Sequence, residues 1–405
     1  MVTSALPREL IAADPPASAS LDATVETSLG PVRLTLYREF EPLRALWTGF
    51  QDTALCTYAQ SYLWMEAWFR CVARPSCAEL TIFVGRDAAQ RPLFIWPFEI
   101  VRRMGLGTMQ WVGQAHANYN MGLYAPAFAA AIGRDDMAAL LRRAASMAGD
   151  VKAACFTDQP ATWDGVSNPM GQLAHQTSPS SGFAVRLDRD FEGLHRTRFS
   201  KRSRQTLARK ERRLATFGAL NYGWAETPQD RLDALETFFA QKTDRFRELG
   251  IRDAFAETAH RAFYRELAAR DGSTPGHLRI GYLKVDGRTV ATFNGIVFRN
   301  RLFVLLSSII DGELRRWSPG QLLLRHQIRE ACDHGFSHYD LGVGEAPHKL
   351  DWCDERLKLV DSLIAFEPAG YAVTLSLAAK LALKRVVKGN PTLWALARWV
   401  RRTLP

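Results

Sequence analysis

The chain has 405 residues, of which 47% are hydrophobic and 23% are charged. This profile indicates a globular protein rather than a disordered or fibrous one, and the length suits two domains of ordinary size. The net charge is +10. The excess comes from residues 196–216, with nine Lys or Arg and one Glu, and from residues 374–405, with seven Lys or Arg and no acid. An anionic partner is therefore expected at these two segments.

The first residues of the chain and its cysteines indicate the cellular compartment in which the protein is expected. No run of eighteen apolar residues is present, so we expect no membrane-spanning helix, and the first twenty residues lack the pattern of a secretory signal. Six cysteines are scattered without a CxxC pair or a metal-ligand spacing. We therefore expect a cytoplasmic protein with reduced thiols and no metal site. Residues 1–30 are expected to form a disordered tail.

In the first half, apolar alternation predicts strands and a period of 3.6 residues predicts helices. In chain order these are a strand at 32–37, helices at 40–50 and 61–72, a hairpin at 79–101 and a helix at 135–148. Trp64 and Trp68 lie four residues apart on one helix face, and Asp135 is the expected N-cap of the last helix.

The second half repeats this order, which indicates a duplicated α/β domain. The predicted elements are a strand at 219–226, helices at 227–246 and 256–270, a hairpin at 277–298, a strand at 301–310, a helix at 318–335, and strands at 338–343 and 357–367. Thr227 is expected to cap a helix that begins at Pro228, and Asp286–Gly287 to form the hairpin turn.

Several common catalytic motifs are missing from the sequence. GLG at 105–107 and GVG at 342–344 each lack the third glycine of GxGxxG and its strand–turn–helix context. There is also no GxSxG and no HExxH. The sequence therefore argues against a dinucleotide site, a serine hydrolase and a zinc enzyme. Gly342 and Gly344 fit better at a sharp bend or beside a closely approaching ligand.

The segment RRWSPGQLLLRH, residues 315–326, predicts a turn that leads directly into a helix. N–H groups in the first turn of such a helix would point at a docked anion, and Arg315 and Arg316 flank it. The alternative is an ordinary Pro–Gly helix start with solvated arginines.

Three motifs in order give the chain a resemblance to a known family. SKRSRQTLARKERRL at 200–214, SPGQLLL at 318–324 and YDLGVGE followed by HKLDW at 339–352 resemble the series in the GNAT-like acyltransferases related to the CelD cellulose-biosynthesis proteins. These are akin to the FemAB aminoacyl transferases. The resemblance implies an α/β (α+β) fold of tandem GNAT-like (acyl-CoA N-acyltransferase) domains, each a mixed, mostly antiparallel sheet flanked by helices.

The resemblance also implies a division of the chain. After the tail it predicts a degenerate N-terminal GNAT-like domain at 31–192, a catalytic GNAT-like domain at 193–370 and basic amphipathic helices at 371–405.

The implied reaction moves an acyl group, an acetyl group above all, from acyl-CoA to an amine, with acyl-CoA as co-substrate and no permanently bound cofactor. The donor would bind at the predicted turn, through Arg315, Arg316, Ser318, Gly320 and Gln321. Ser318 replaces the first glycine of the usual [Q/R]xxGx[G/A] loop, Pro319 removes one N–H donor, and His348 stands where the family commonly has Tyr.

The stretch HYDLGVGEAPHKLDW, residues 338–352, would then line the acyl-transfer cleft. Glu345 and His348 are the candidates for the base that removes a proton from the amine, and Asp340 would orient a neighbour or the substrate. Lys349 would stabilise negative charge or bind an anionic acceptor. The alternative is a structural ion pair between Asp340 and Lys349. The candidate substrate-binding residues are Trp352, Gly342, Gly344 and Arg204.

The two basic segments suggest partners. Residues 200–213 would form a solvated helix, a nucleic-acid site or a contact for phosphate or phospholipid, and the scarcity of aromatic residues favours phosphate over nucleic acid. The tail predicts two short amphipathic helices broken at Gly389–Pro391, with Trp394 and Trp399 suited to a membrane interface. Residues 374–405 would thus contact the inner membrane face peripherally or cover the protein's own sheet.

Together these patterns predict a cytoplasmic acyltransferase that acts on an amine-bearing small molecule or saccharide, in polysaccharide or cell-envelope biosynthesis. Two alternatives stay open. One is a FemAB-type transferase that depends on aminoacyl-tRNA, and the other is a non-catalytic accessory protein that binds nucleic acid or membrane.

Overall fold

The computed structural model describes residues 21–173, 176–272, 276–390 and 392–393. It divides into two compact units. The first unit is Met1–Pro179 with Lys358–Leu383, and the second unit is Ser180–Leu357 with Lys384–Pro405. Most of the predicted tail lies outside the described residues, but residues 21–30 do not belong to it, because they start a hairpin with the next strand.

Strands occur along the whole described chain. In order they are β1 Leu21–Thr27, β2 Gly30–Tyr37, β3 Glu79–Arg86, β4 Pro92–Arg103, β5 Leu106–Trp111, β6 Leu123–Tyr124, β7 Ala153–Pro160, β8 Thr162–Trp163, β9 Val166–Ser167, β10 Gln176–Thr177, β11 Gly182–Arg186, β12 Leu220–Trp224, β13 Arg279–Val285, β14 Arg288–Phe298, β15 Arg301–Ile309, β16 His338–Val343, β17 Glu355–Leu357 and β18 Leu359–Ala365.

Helices alternate with these strands. They are α1 Arg44–Gln51, α2 Tyr62–Trp68, α3 Pro126–Ala131, α4 Arg134–Ala148, α5 Phe191–Arg198, α6 Lys201–Leu214, α7 Pro228–Leu249, α8 Thr258–Ala269, α9 Pro319–Asp333, α10 Pro347–Trp352 and α11 Gly370–Gly389. Short 3-10 turns precede several of them, including Glu313–Trp317 before α9.

The first unit has a sheet in the order β1-β2-β3-β4-β5-β7-β18-β10, with β6 beside β4. Its neighbours are antiparallel except β5 and β7, which pair in parallel over two residues each. An aromatic core fills one part of this unit, because Phe98 contacts Trp96, Trp111 and Phe156.

The second unit has a sheet in the order β12-β13-β14-β15-β16-β11-β17. Again one pair is parallel, β15 with β16, and the helix between those two strands is α9. Both units therefore run through a strand, two helices, a hairpin with a third strand, a further helix and a parallel strand. This confirms the predicted tandem, mostly antiparallel α/β architecture.

Two strands belong to a different unit from the one that the predicted domain boundaries assigned to them. β11 was placed in the first domain by a boundary at residue 192, but it lies between β16 and β17 in the second unit. β18 was placed in the second domain, but it pairs with β7 in the first unit. Backbone pairing between residues far apart in sequence overrides a boundary read from local composition.

Local signals in the sequence explain several element ends. Thr227 caps α7 in a capping box with Asp230, and Pro228 is its first residue, as predicted. Asp286 and Gly287 both have positive φ, which suits the predicted hairpin turn. The prediction of Asp135 as N-cap was wrong, because Gly133 takes that position and Asp135 lies in the first turn of α4.

No helix in the described part of the chain is long and apolar enough to cross a membrane. The first of the two predicted C-terminal helices corresponds to α11, which ends at Gly389. From Trp394 onward, the predicted second helix, which includes Trp399, lies outside the described residues.

Candidate active site

The parallel strands β15 and β16 separate after three residues. Arg301–Phe303 pairs with His338–Asp340. Beyond this point β15 continues to Ile309, while the end of β16 pairs only with β11 on its other side among the described strands. A cleft of about 400 Å³ opens beside the free part of β15. It is lined by Gln241, Lys242, Arg245, Phe293, Ser307, Ser308, Ile309, Arg315, Ser318, Gly320, Gln321, Leu324 and His348.

Two helices approach this cleft from opposite faces of the sheet. Side chains of successive strand residues point to opposite faces. The Ser308 hydroxyl donates to the Gln241 side chain of α7 at 2.6 Å. Its neighbour Ile309 packs against Gly320 of α9. A Cβ atom added at Gly320 would lie 2.8 Å from the Cγ2 methyl of Ile309. Gly320 thus allows α9 to pack closely on the strand, and the cleft has an α7 side and an α9 side.

The turn before α9 contributes most of the predicted donor-binding residues. Arg315, Ser318, Gly320 and Gln321 line the cleft, and their role in donor binding stays a prediction. Arg316 does not, because its side chain is 61% exposed and pairs with Glu313. Sequence spacing alone does not distinguish these two adjacent arginines.

The turn offers an anion mainly side-chain donors. Pro319 has no N–H, and the Ser318 and Gln321 N–H groups donate to the Arg315 and Ser318 carbonyls. Among the described residues the Gly320 N–H has no main-chain acceptor outside regular helix and strand pairing, so it is available as a first-turn donor. Lys210 of α6 adds a cation, because its Nζ lies 2.8 Å from the Ser318 hydroxyl. Phosphates of an acyl donor would therefore be held by Arg315, Lys210 and Ser318 around this N–H.

His348 is the predicted base candidate that lines the cleft. It is the second residue of α10, whose start at Pro347 places it beside α9 residues of the lining. Burial lowers the pKa of His348 to about 4, and the charge of Lys349 acts in the same direction. The imidazole is therefore neutral at pH 7 and has a nitrogen that can accept a proton.

Lys349 lies next to the cleft but is not among its lining residues. Its Nζ donates to the main-chain carbonyls of Gly342, at 3.2 Å, and Val343, at 3.0 Å. Asp340 is fully buried, accepts from the Gly342 N–H at 2.8 Å and has Arg301 at 3.7 Å. The structure thus favours a positioning role for Lys349, although its direct contacts are to carbonyls rather than to the carboxylate of Asp340.

The titration of Lys349 should make the free energy of unfolding depend on pH. Burial lowers its pKa from 10.5 to about 8, although Asp340 opposes the shift. Between these two pH values the unfolded chain holds the proton and the folded chain does not, so the free energy of unfolding should rise with pH. Each pKa unit corresponds to about 1.4 kcal/mol. Urea unfolding from pH 7 to 10.5 should show a smaller rise for Lys349→Met than for the exposed control Lys201→Met. Equal rises would contradict the prediction.

Glu345 was predicted as a base, but the structure does not bring it to the cleft. Its side chain is 59% exposed and pairs with Arg356 at 3.2 Å. Gly342 and Gly344 both have positive φ, which agrees with the predicted sharp bend. Neither lines the cleft, so the structure favours a conformational role for them over ligand contact.

Trp352 and Arg204 were predicted to bind substrate, and the structure places both elsewhere. Trp352 is fully buried and stacks on His195 at 5.6 Å, with Phe199 against its edge at 4.7 Å. The last turn of α10 directs it into the core. Arg204 lies six residues before Lys210 on α6, and it is not among the described residues that line the cleft.

Several cleft residues were missed by sequence reasoning. Gln241, Lys242 and Arg245 lie in a segment predicted only as an amphipathic helix, and Ser307 and Ser308 in one predicted only as a strand. A signal was present in the strand, because two adjacent serines interrupt the apolar run VLLSSII. The sequence around Lys242 contains no such signal.

The corresponding opening in the first unit is filled by the chain itself. Beyond the short β5–β7 pairing, Gln114 donates to the Cys155 carbonyl at 2.9 Å and accepts from the Thr157 hydroxyl at 2.7 Å. Asn120 donates to the Thr157 carbonyl at 3.0 Å and, through its N–H, to the Asp158 carbonyl at 3.2 Å. These contacts occupy the strand edge that the second unit leaves open, and they support the proposal that the first unit is degenerate.

Comparisons with known proteins agree with this architecture. Residues 201–350 match the family described as "Acetyltransferase (GNAT) domain". The solved structure of FemX is 11% identical, with a TM-score of 0.55, and the match covers 82% of this chain and 98% of that chain.

Two further solved structures are similar at lower scores. The C-terminal domain of a putative lysylphosphatidylglycerol synthetase from Agrobacterium fabrum is 12% identical, with a TM-score of 0.48 and coverage of 84% and 95%. A tandem GNAT protein from the clavulanic acid biosynthesis pathway is 12% identical, with a TM-score of 0.45 and coverage of 83% and 99%. No curated protein matches. Residues 201–350 are thus similar to GNAT-type acetyltransferase domains, and the chain shares its fold with FemX.

Proposed function

We propose that the second unit transfers an acyl group, specifically acetyl, from acyl-CoA to an amine. The observation that carries this proposal is the cleft beside the part of β15 that extends beyond its pairing with β16, with the turn before α9 on one side and the neutral imidazole of His348 in its lining. The cleft supplies an anion-binding turn, a space for two reactants and a proton acceptor. These are the groups that direct acyl transfer requires.

In this mechanism Arg315, Lys210 and the Gly320 N–H hold the phosphates of the donor on the α9 side. The acceptor amine attacks the thioester carbonyl, so that a C–N bond forms and the C–S bond breaks. His348 takes the proton that the amine loses, and the CoA thiolate leaves and regains a proton. Lys349 holds the backbone that precedes α10 and so fixes the position of His348.

The setting that we propose is the cytoplasm, in polysaccharide or cell-envelope biosynthesis of the CelD type. The six cysteines, all within the described part of the chain, form no disulfide, which supports a reducing compartment. The basic charge of α6 and of residues 374–405 supports peripheral contact with an anionic membrane surface more than binding to nucleic acid. The acceptor is an amine-bearing small molecule or saccharide.

The adjacent arginines of the turn provide a test of donor binding. Acetyl-CoA at saturating concentration should raise the melting temperature, because a ligand that binds only the folded state stabilises it. Arg315→Ala should reduce this shift, since Arg315 lines the cleft. Arg316→Ala should leave the shift unchanged, because Arg316 points to solvent and pairs with Glu313.

Two outcomes would contradict this assignment. No shift with any acyl-CoA would exclude the CoA donor and favour an aminoacyl-tRNA or a carrier protein. An equal loss in both variants would show that net charge near the turn matters rather than the cleft. Tight binding of a particular tRNA, persisting at physiological salt, would place the tRNA-dependent transferase first.

A further inference from the structure

The α7 side of the cleft contains a partly buried lysine whose ammonium has no carboxylate partner among the described residues. Lys242 lines the cleft, and its Nζ lies 6.0 and 5.8 Å from the ring centroids of Phe238 and Phe246. Burial lowers the pKa of Lys242, and the charge of Arg245 lowers it further. An ammonium ion removed from water without an anion is costly, so the site is favourable only when an anion arrives.

The two arginines that line the cleft already have counter-ions, and Lys210 lies outside the lining, against the Ser318 hydroxyl of the donor turn. Arg245 pairs with Glu248 at 2.8 Å, and Arg315 pairs with the same carboxylate at 3.4 Å and with Asp311 at 3.2 Å. Among the described lining residues there is no Asp or Glu. A ligand anion in the cleft would therefore find its strongest uncompensated partner in Lys242.

The position of Lys242 indicates which reactant brings this anion. The donor turn precedes α9, whereas Lys242 belongs to α7. The contacts of Ile309 and Ser308 place these helices on opposite faces of the sheet, and Arg315 of the turn reaches α7 at Glu248. Gln241 precedes Lys242, and its side-chain amide also lies at the cleft, donating to the Thr289 carbonyl while its oxygen accepts from Ser308. The α7 side thus offers a cation and polar groups to a second molecule that meets the thioester from the face opposite α9.

We propose that the amine acceptor of this cleft carries an anionic group, a carboxylate or a phosphate, that pairs with Lys242. This inference rests on the proposed acyltransferase function and specifies its acceptor class. The acceptor would place its anion on Lys242 and Gln241 and its amine near His348.

Matched acceptors would test the inference. CoA release from acetyl-CoA would be measured with O-phosphoethanolamine against ethanolamine, and with β-alanine against propylamine. The anionic member of each pair should have a kcat/KM about 10- to 100-fold higher, as expected for a charged hydrogen bond. Lys242→Met should abolish this preference and leave the KM for acetyl-CoA unchanged. Arg247→Met, on the same helix but paired with Asp244 and outside the lining, should keep it.

A binding measurement separates this inference from the proposed function. O-phosphoethanolamine without acetyl-CoA should raise the melting temperature of the full chain, and Lys242→Met should lose that shift. The variant should fold, because methionine keeps the apolar stem between the two rings and removes a desolvated charge. Absence of the shift in the wild-type chain, its survival in Lys242→Met, or a raised KM for acetyl-CoA in that variant would overturn the inference. A Lys242-dependent shift without any CoA release would instead support the anion site and overturn the proposed reaction.

Discussion

Replacing His348 with alanine should lower kcat about 10²–10⁴-fold, the usual contribution of a positioned general base. The imidazole lines the cleft and stays neutral because burial lowers its pKa to about 4. The measurement is CoA release from acetyl-CoA at saturating acceptor, with melting temperatures recorded beside it. Free imidazole should restore part of the activity, because the truncated side chain leaves space at the same position.

His334→Ala is the matched control for this experiment. His334 is an exposed residue at the end of α9, and its ring contacts the Glu330 carbonyl. This variant should keep wild-type turnover. Loss of activity in His348→Ala only in proportion to unfolded protein would contradict the role of His348 as the base. If imidazole gave no rescue while Glu345→Gln removed turnover, Glu345, the other candidate from the sequence, would be the base instead.

Trp352→Ala should lower the free energy of unfolding by about 3–5 kcal/mol, the range for removing a large aromatic side chain from a core. The indole is fully buried between α5 residues and the sheet of the second unit. Trp352→Phe should cost less, because the ring contacts with His195 and Phe199 persist. The indole Nε1 also has no hydrogen-bond partner to lose among the described residues.

Urea unfolding of both variants measures this effect. A stable Trp352→Ala protein with a raised KM for the acceptor would instead show that Trp352 binds substrate, as its position in the sequence motif suggested. The expected order of stability is wild type, then Trp352→Phe, then Trp352→Ala.

Much of the fold could be predicted because its signals are local. Thr227 and Pro228 begin a helix, and Asp286–Gly287 closes a hairpin, through contacts within three residues. The partners of β11 and β18 could not be predicted in this way. β18 pairs with a strand about two hundred residues earlier, and no local preference encodes that choice.

The candidate site, too, could be predicted from the sequence only in part. The motif HYDLGVGEAPHKLDW indicated the correct region, but not which side chains enter the cleft. That depends on where α10 begins: His348 faces the cleft, Glu345 before the helix faces solvent, and Trp352 at its end enters the core. Lys242 could not be predicted, because only the three-dimensional approach of α7 to β15 brings it to the site.

The late position of β18 in the chain has a consequence for folding during synthesis. Domains usually fold in the order in which the ribosome makes them. Here the first-made unit cannot complete its sheet until residues 359–365 have emerged, whereas the last strand of the second unit, β17, ends at Leu357. One edge of β7 therefore stays unpaired until its partner β18, about two hundred residues later in the chain, has been synthesised. An unpaired edge of this kind invites pairing with another nascent chain, so vectorial synthesis exposes the first unit to misassembly for longer than the second unit.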